Sequence, residues 1–525
     1  LILVVGVPLA ILGAVIGVQL ITRVGITPNS SVIGAILALT LARIPLAVFR
    51  PFGSLHRQNL LQTVISGATF GGANALLLPI GVPWLLGRPD LIAPMLTGAF
   101  LALLVDATVL YRVFDSRTFP ATGAWPSGVA TAEVLIAGDA GGRRARLLAA
   151  GGAAGGVGQL FGIPMDVFGV CWIGNVWALA MFAAGLLARG YAPALVGVDL
   201  GAAYLPHGIM IGAGLVALGQ MVASVRERAP ASDAATVGPD AGRGAAGLGP
   251  AAPAGVGGHA FGRALGAGLG AYLLIAAFLA ALAGVWGDMS LGMLAGFVIF
   301  AGVAALVSEL VVGLSAMHAG WFPAFATALI FLVLGMLVGF PTVPLALLVG
   351  FTAATGPAFA DMGYDLKAGW ILRGRGAHPE LERQGRKQQF LAELLGFVVA
   401  GVFVLLVHPR YFAADLLPPV DRVYAATLAA GASPELARSL LIWAVPGALV
   451  QLVGGAFRQM GILLATGLLI VNPVAGWTAA VALVIRALLL RRYGRAAEGP
   501  MYVAAGGFIA GSAVVGFGVG AWRAR

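Results

Sequence analysis

A few acidic and amide side chains stand inside otherwise apolar stretches of this 525-residue chain, and their types and spacing point to chemistry. Asn59, Gln62, Thr63 and Ser66 recur every three or four positions and so share one helical face. The Gly71-Gly72 pair that follows is placed to break the helix and free backbone groups for a solute. The plainer reading of this face is interhelical hydrogen bonding, worth about 0.6 kcal/mol per contact. Glu133 lies in an apolar helix that opens at Pro126, where burial disfavours charge and suits a carried proton. A structural hydrogen bond or a salt bridge to a distant Arg would serve equally. Glu309 ends an apolar run, with His318 nine residues on. One acid and one imidazole fall short of the three or four clustered ligands of a zinc site, and no metal site is read from the sequence. Thr355, Gly356 and Pro357 should break a helix, and Asp361 and Asp365, four apart, share the face that follows. Two like charges there favour one shared proton or a bound cation, and Lys367 could neutralise one carboxylate. The plainer alternative is an ordinary ion pair at a helix end. Asp106, Asp166, Asp199, His207, Glu393 and Arg458 are lesser candidates, most of them explained by interface positions.

The elements that must position these residues follow from composition. Sixty per cent of the chain is hydrophobic and ten per cent charged, against roughly a quarter charged in soluble domains. Apolar runs of about 20 residues recur throughout, the length that crosses hydrocarbon as helix. They are too long and too uniformly apolar for barrel strands, which alternate every second residue. The fold class is therefore all-α: a polytopic membrane bundle of about 14–16 transmembrane helices. Glycine, 78 residues, is enriched, which suits close helix packing and broken helices around a buried site. The segments 120–138 and 418–436, amphiphilic and rich in Pro and Gly, read as short or re-entrant helices. The net charge of +10 is read as cytoplasmic loops and anionic headgroups rather than nucleic-acid binding. The single cysteine, Cys171, excludes a disulfide framework.

Two halves are expected: 1–223 and 261–525, each a transmembrane repeat, joined by a flexible cytoplasmic linker over 224–260. Pro126, Leu135, Ala137 and Gly138 match Pro419, Leu428, Ala430 and Gly431 at an offset of 293. After one gap, Gln159, Leu160 and Gly162 match Gln451, Leu452 and Gly454 at 292. Repeats of this kind place a transporter's site at their interface near the midplane. Basic clusters lie at 143–146, in the linker, at 367–387 and at 486–495, and the last three are assigned to the cytoplasmic side. The first is harder to place, because the status of 120–138 changes the parity. Residues 1–22 read as a spanning helix rather than a signal peptide.

Several of these segments together resemble the oligopeptide transporter family, in its prokaryotic branch and with kinship to the yellow-stripe-like metal-chelate carriers. The residues are Asn59 to Thr63, Pro126 to Asp139, Ser308-Glu309-Leu310 through His318 to Trp321, Asp361 to Gly369, and Gln459 to Leu469. Tyr364 and Ala368 stand where the family often has Gln and Thr, and the Lys-Ile-Pro-Pro-Arg motif of its fungal and plant peptide branch is absent. The resemblance implies about 16 helices in two related halves and proton-coupled import of small peptides or metal–chelator complexes. Protons are then the coupling ion, with no other cofactor. The partners are a small-molecule substrate and the lipid bilayer; a homo-oligomer is left open. The location is a cell membrane, a bacterial inner membrane by this reading. A channel or facilitator for a small polar solute is the alternative. An embedded enzyme lacks support, since no HExxH, GxSxG or P-loop pattern is present.

Overall fold

Proline starts many of the helices. In a computed structural model that describes residues 2–24, 30–226, 256–321, 323–431 and 433–523, six helices carry Pro as their first residue, where its missing N–H costs nothing. Asn175, Ser290, Ser433 and Asn472 cap four helices with side-chain oxygens that accept backbone N–H groups.

In chain order the helices are α1 (Ile2–Val24), α2 (Ser30–Ala42), α3 (Leu55–Phe70), α4 (Leu78–Leu85), α5 (Ile92–Val113), α6 (Pro126–Ala140), α7 (Gly142–Leu160), α8 (Met165–Ile173), α9 (Val176–Val196) and α10 (Leu205–Arg226). After the stretch 227–255, which lies outside the described residues and holds most of the expected linker, come α11 (Gly258–Leu282), α12 (Leu291–Ala319), α13 (Ala324–Val338), α14 (Thr342–Ala354) and α15 (Pro357–Leu372). The chain closes with α16 (Pro379–Ala413), α17 (Pro419–Ala430), α18 (Pro434–Gly454), α19 (Met460–Leu469), α20 (Pro473–Tyr493) and α21 (Glu498–Arg523). No strand occurs among the described residues, only an isolated bridge between Ser116 and Val256.

Ten segments are long and apolar enough to cross a membrane, and four shorter apolar helices accompany them. The outward faces are apolar, with Leu291 83% and Val453 80% exposed. In water such a surface would drive aggregation; in lipid it is the solvated face. The protein is a polytopic helical membrane bundle.

Two spans are broken, and both line the interior. Gly71–Leu77 form a π-helical turn between α3 and α4, at the expected Gly pair. Thr355 and Gly356 separate α14 from α15. Gly356 has φ of 101°, a conformation that residues with a Cβ avoid, and Pro357 restarts the helix. The segments over 120–138 and 418–436 contain the short helices α6 and α17. The expected span 460–490 divides into α19 and α20, and α16 extends eleven residues N-terminal to its apolar core.

The helices before and after residues 227–255 interlock. α7 packs along α21 and α10 along α18, while α3 packs on α16. These approaches are backbone to backbone. A Cβ on Gly511 would collide with the Gly152 carbonyl, and one on Gly212 with the Ala444 carbonyl.

Candidate functional site

Helix α3 turns one polar face inward. Gln62, Thr63 and Ser66 are fully buried on it and meet Asp361 and Asp365 of α15. The Gln62 amide donates to Asp365 Oδ1 at 2.7 Å, and the Ser66 hydroxyl to Asp361 Oδ1 at 2.8 Å. The start of α2 adds Ser30, 3.2 Å from Asp361 Oδ1, and Ser31, 3.0 Å from Asp365 Oδ1. Glu393 of α16 completes the group: an oxygen from each of Asp361, Asp365 and Glu393 lies within 4.8 Å of the others. Gly67 makes room for it, since a Cβ there would sit 3.2 Å from the Glu393 carboxyl carbon. Asn59 is buried one turn earlier on α3, and both polar atoms of its side chain lack a hydrogen-bond partner.

A second acidic group lies at the N-terminal end of the same α15. The Gly356 N–H donates to Asp106 Oδ2 at 2.6 Å, where the helix dipole favours a carboxylate. The Tyr272 hydroxyl, from α11, donates to Asp106 Oδ1 at 2.5 Å and lies 3.1 Å from Glu309 Oε2 of α12. All three side chains are buried. A phenol carries one proton. If Tyr272 gives it to Asp106, the contact with Glu309 is favourable only when Glu309 is itself protonated and donates back. Thr355 lies at the helix break and donates to the Thr352 carbonyl at 2.9 Å.

The remaining candidates lie apart from these acids. Lys367 does not reach a carboxylate; its ammonium donates to the carbonyls of Ala121 and Gly123 at 2.7 and 2.9 Å and lies 4.7 Å from the Trp370 ring centre. It thus pins the loop before α6 onto α15. Glu133 pairs with Arg144 at 2.6 Å, and Arg375 also lies near it. His318 is at the end of α12, its ring 3.4 Å from the Asn175 amide. Arg373 and Glu382 form a buried pair at 2.8 Å. Arg373 also donates to Gln389 Oε1, and Gln389 donates to the Asp365 carbonyl, both at 2.6 Å, which ties the α15–α16 turn to the three acids.

A cavity of about 640 Å³ is lined from both sides of residues 227–255, by Asn74, Arg189, His207, Phe325, Pro357 and Tyr424 among others. Its size is that of sites for drug-sized ligands. Beside it, Asp421 of α17 is buried against Gly81 of α4, with neither carboxylate oxygen hydrogen-bonded.

The family model for the OPT oligopeptide transporter protein matches residues 2–224 and 265–522. The chain belongs to the OPT oligopeptide transporter family. It is therefore a multi-pass membrane transporter. No curated protein matches the chain.

Sequence reading of this OPT transporter left Tyr272, Ser30, Ser31, Gln389 and Asp421 unmarked. Tyr272 had a signal, as the one polar side chain in an apolar run from Ala264 to Leu282. Asp421 had none, because an acid in the first turn after Pro419, next to Arg422, reads as a solvated helix start.

Proposed function

We propose that this transporter is a proton-coupled symporter that imports small peptides or metal–chelator complexes by alternating access between two related halves. The observation that carries the coupling is the Tyr272 hydroxyl between Asp106 and Glu309, an arrangement in which one acid must hold a proton. Buried ionisable groups in a bundle interior are the usual proton carriers of transporters. This group bonds to the break before α15, so gain or loss of the proton acts on a helix that also bears Asp361 and Asp365. The cavity between the halves has room for a short peptide or a chelate. Asn59, Gln62, Thr63, Ser66 and Thr355 supply polar lining in this scheme, and protons serve as the only coupling ion.

The two units are 1–223 and 261–525, joined by 224–260. In support, the matched stretches form equivalent helices, α6 with α17 and α7 with α18, and α7 packs on α21 as α18 packs on α10. The basic turns at 143–146, 373–387 and 486–495 gather toward one end: Arg144 and Arg375 both lie near Glu133, and Arg375 and Arg486 both lie near Tyr502. That end faces the cytoplasm by the excess of Lys and Arg, in a bacterial inner membrane.

The test is uptake in proteoliposomes of labelled peptides and of iron–chelator complexes under an imposed pH gradient. Each pH unit is worth about 1.4 kcal/mol, so coupling one proton to one neutral solute supports roughly tenfold accumulation per unit. Wild-type protein accumulates solute and loses it on adding a protonophore. Glu309→Gln equilibrates solute without accumulating it. Wild-type accumulation that survives the protonophore rejects proton coupling.

A further inference from the structure

We propose that Asp361, Asp365, Glu393 and Gln62 form a binding site for a hard divalent cation such as calcium, tying α3, α15 and α16 together.

The argument begins with unpaired acceptors. Five buried oxygens in this group meet no fixed hydrogen-bond donor: Asp361 Oδ2, Asp365 Oδ2, both carboxylate oxygens of Glu393, and Gln62 Oε1; Glu393 faces both aspartates at hydrogen-bonding range, acid against acid. The Gln62 oxygen is an observation independent of the acids. Its amide nitrogen is fixed on Asp365 Oδ1 at 2.7 Å, so the carbonyl is held at the cluster, fully buried and unpaired. Turning the amide over would place its carbonyl against a carboxylate instead. A buried polar group left without a partner is costly, because its lost hydration is not replaced.

Protons alone answer this only in part. Two protons shared among the acids satisfy four oxygens at most and leave the Gln62 carbonyl unmet. The nearby hydroxyls of Ser30, Ser31 and Ser66 already face Asp361 Oδ1, Asp365 Oδ1 and one another. No lysine or arginine among the described residues pairs with any of the three acids. Arg373, which reaches Gln389 behind them, is held by Glu382.

A cation answers it in one step. The donor set is oxygen only, which selects hard ions over zinc or copper. Three carboxylates in an apolar interior call for a double positive charge rather than a single one. A fully buried cage of protein oxygens suits calcium, which accepts flexible geometry, over magnesium, which keeps several of its own waters. The ligands come from three helices, one before and two after residues 227–255, so an ion there would hold the broken span α14–α15 to α3.

The experiment is equilibrium binding of radiolabelled calcium to the purified full-length transporter in detergent after chelator treatment, alongside its melting temperature in Ca²⁺, Mg²⁺ or Na⁺. The expected result is one Ca²⁺ per wild-type chain and a melting temperature raised by Ca²⁺ more than by Mg²⁺. Glu393→Gln, which keeps shape and removes charge, loses both effects. Should that variant fail to fold, Gln62→Ala retains every acid and is expected to bind at least ~10-fold more weakly, as when a supporting group is lost. The proposal is overturned by wild-type protein that binds no Ca²⁺, by stabilisation from Na⁺ alone, or by Ca²⁺ binding of unchanged affinity in the variants. No proton gradient enters these measurements, so their outcome is separate from that of the uptake assay.

Discussion

Arg373 shows how much rests on single charged side chains in this bundle. It and Glu382 are 3% and 9% exposed and lie 2.8 Å apart, and the same guanidinium orients Gln389 toward the Asp365 carbonyl. Removing one partner of a buried pair leaves an uncompensated charge and costs about 3–5 kcal/mol. Arg373→Ala should therefore lower the melting temperature sharply, and the double variant Arg373→Met with Glu382→Gln should recover part of the loss. A melting temperature unchanged in Arg373→Ala would show that the pair does not hold the turn. The sequence made Asp361 and Asp365 legible, because two acids four apart after a Gly-Pro break must share a helical face. Their partners were less visible. Glu393 sits 28 positions on from Asp365, at the boundary of a charged and an apolar stretch, where an acid looks interfacial. Lys367 illustrates the opposite: proximity along the chain suggested a carboxylate partner, and the structure gives it two loop carbonyls.

Among the elements, α15 is the one that touches both buried acidic groups. Its N-terminus bonds to Asp106, its first turns carry two of the three clustered acids, and its later turns hold Lys367 and the approach to α16. Breaks of this kind were readable from Gly and Pro, whereas the π-turn after α3 was readable only as a weak point and not as a geometry. The pairing of helices was not readable at all, since Gly and Ala faces carry little to distinguish one partner from another. That pairing can be tested. Gly511→Val inserts bulk where α21 touches the Gly152 carbonyl of α7; overpacking costs about 1–3 kcal/mol, and the melting temperature should fall. Gly266→Ala on α11, with nothing within 4 Å of the added Cβ, should leave it unchanged or raise it slightly, by no more than ~1 kcal/mol of helix propensity. Equal effects at the two positions would argue against a tight α7–α21 seam.

For the whole molecule, the outline was the most legible part. Low charge and recurrent apolar runs leave a lipid-embedded helical bundle as the one arrangement that satisfies the backbone. How the two stretches on either side of residues 227–255 assemble was not legible, because it depends on which glycine faces meet. Each stretch exposes a face that only the other covers, α7 needing α21 and α18 needing α10. Residues 1–226 and 256–525, expressed as two separate chains, should copurify through a tag on either one, and each alone should aggregate in detergent. Recovery of a monodisperse single half would contradict this.

That interlocking limits which bodies can move. α6, α7 and α8 are packed with α21, and α9 and α10 with α18 and α19. Movement of the two proposed halves would therefore slide along both seams rather than part them. Under the alternating access proposed above, the cavity would open to one side of the bilayer and then the other with early and late helices still in contact, and α20, touching both α8 and α9, links the two seams.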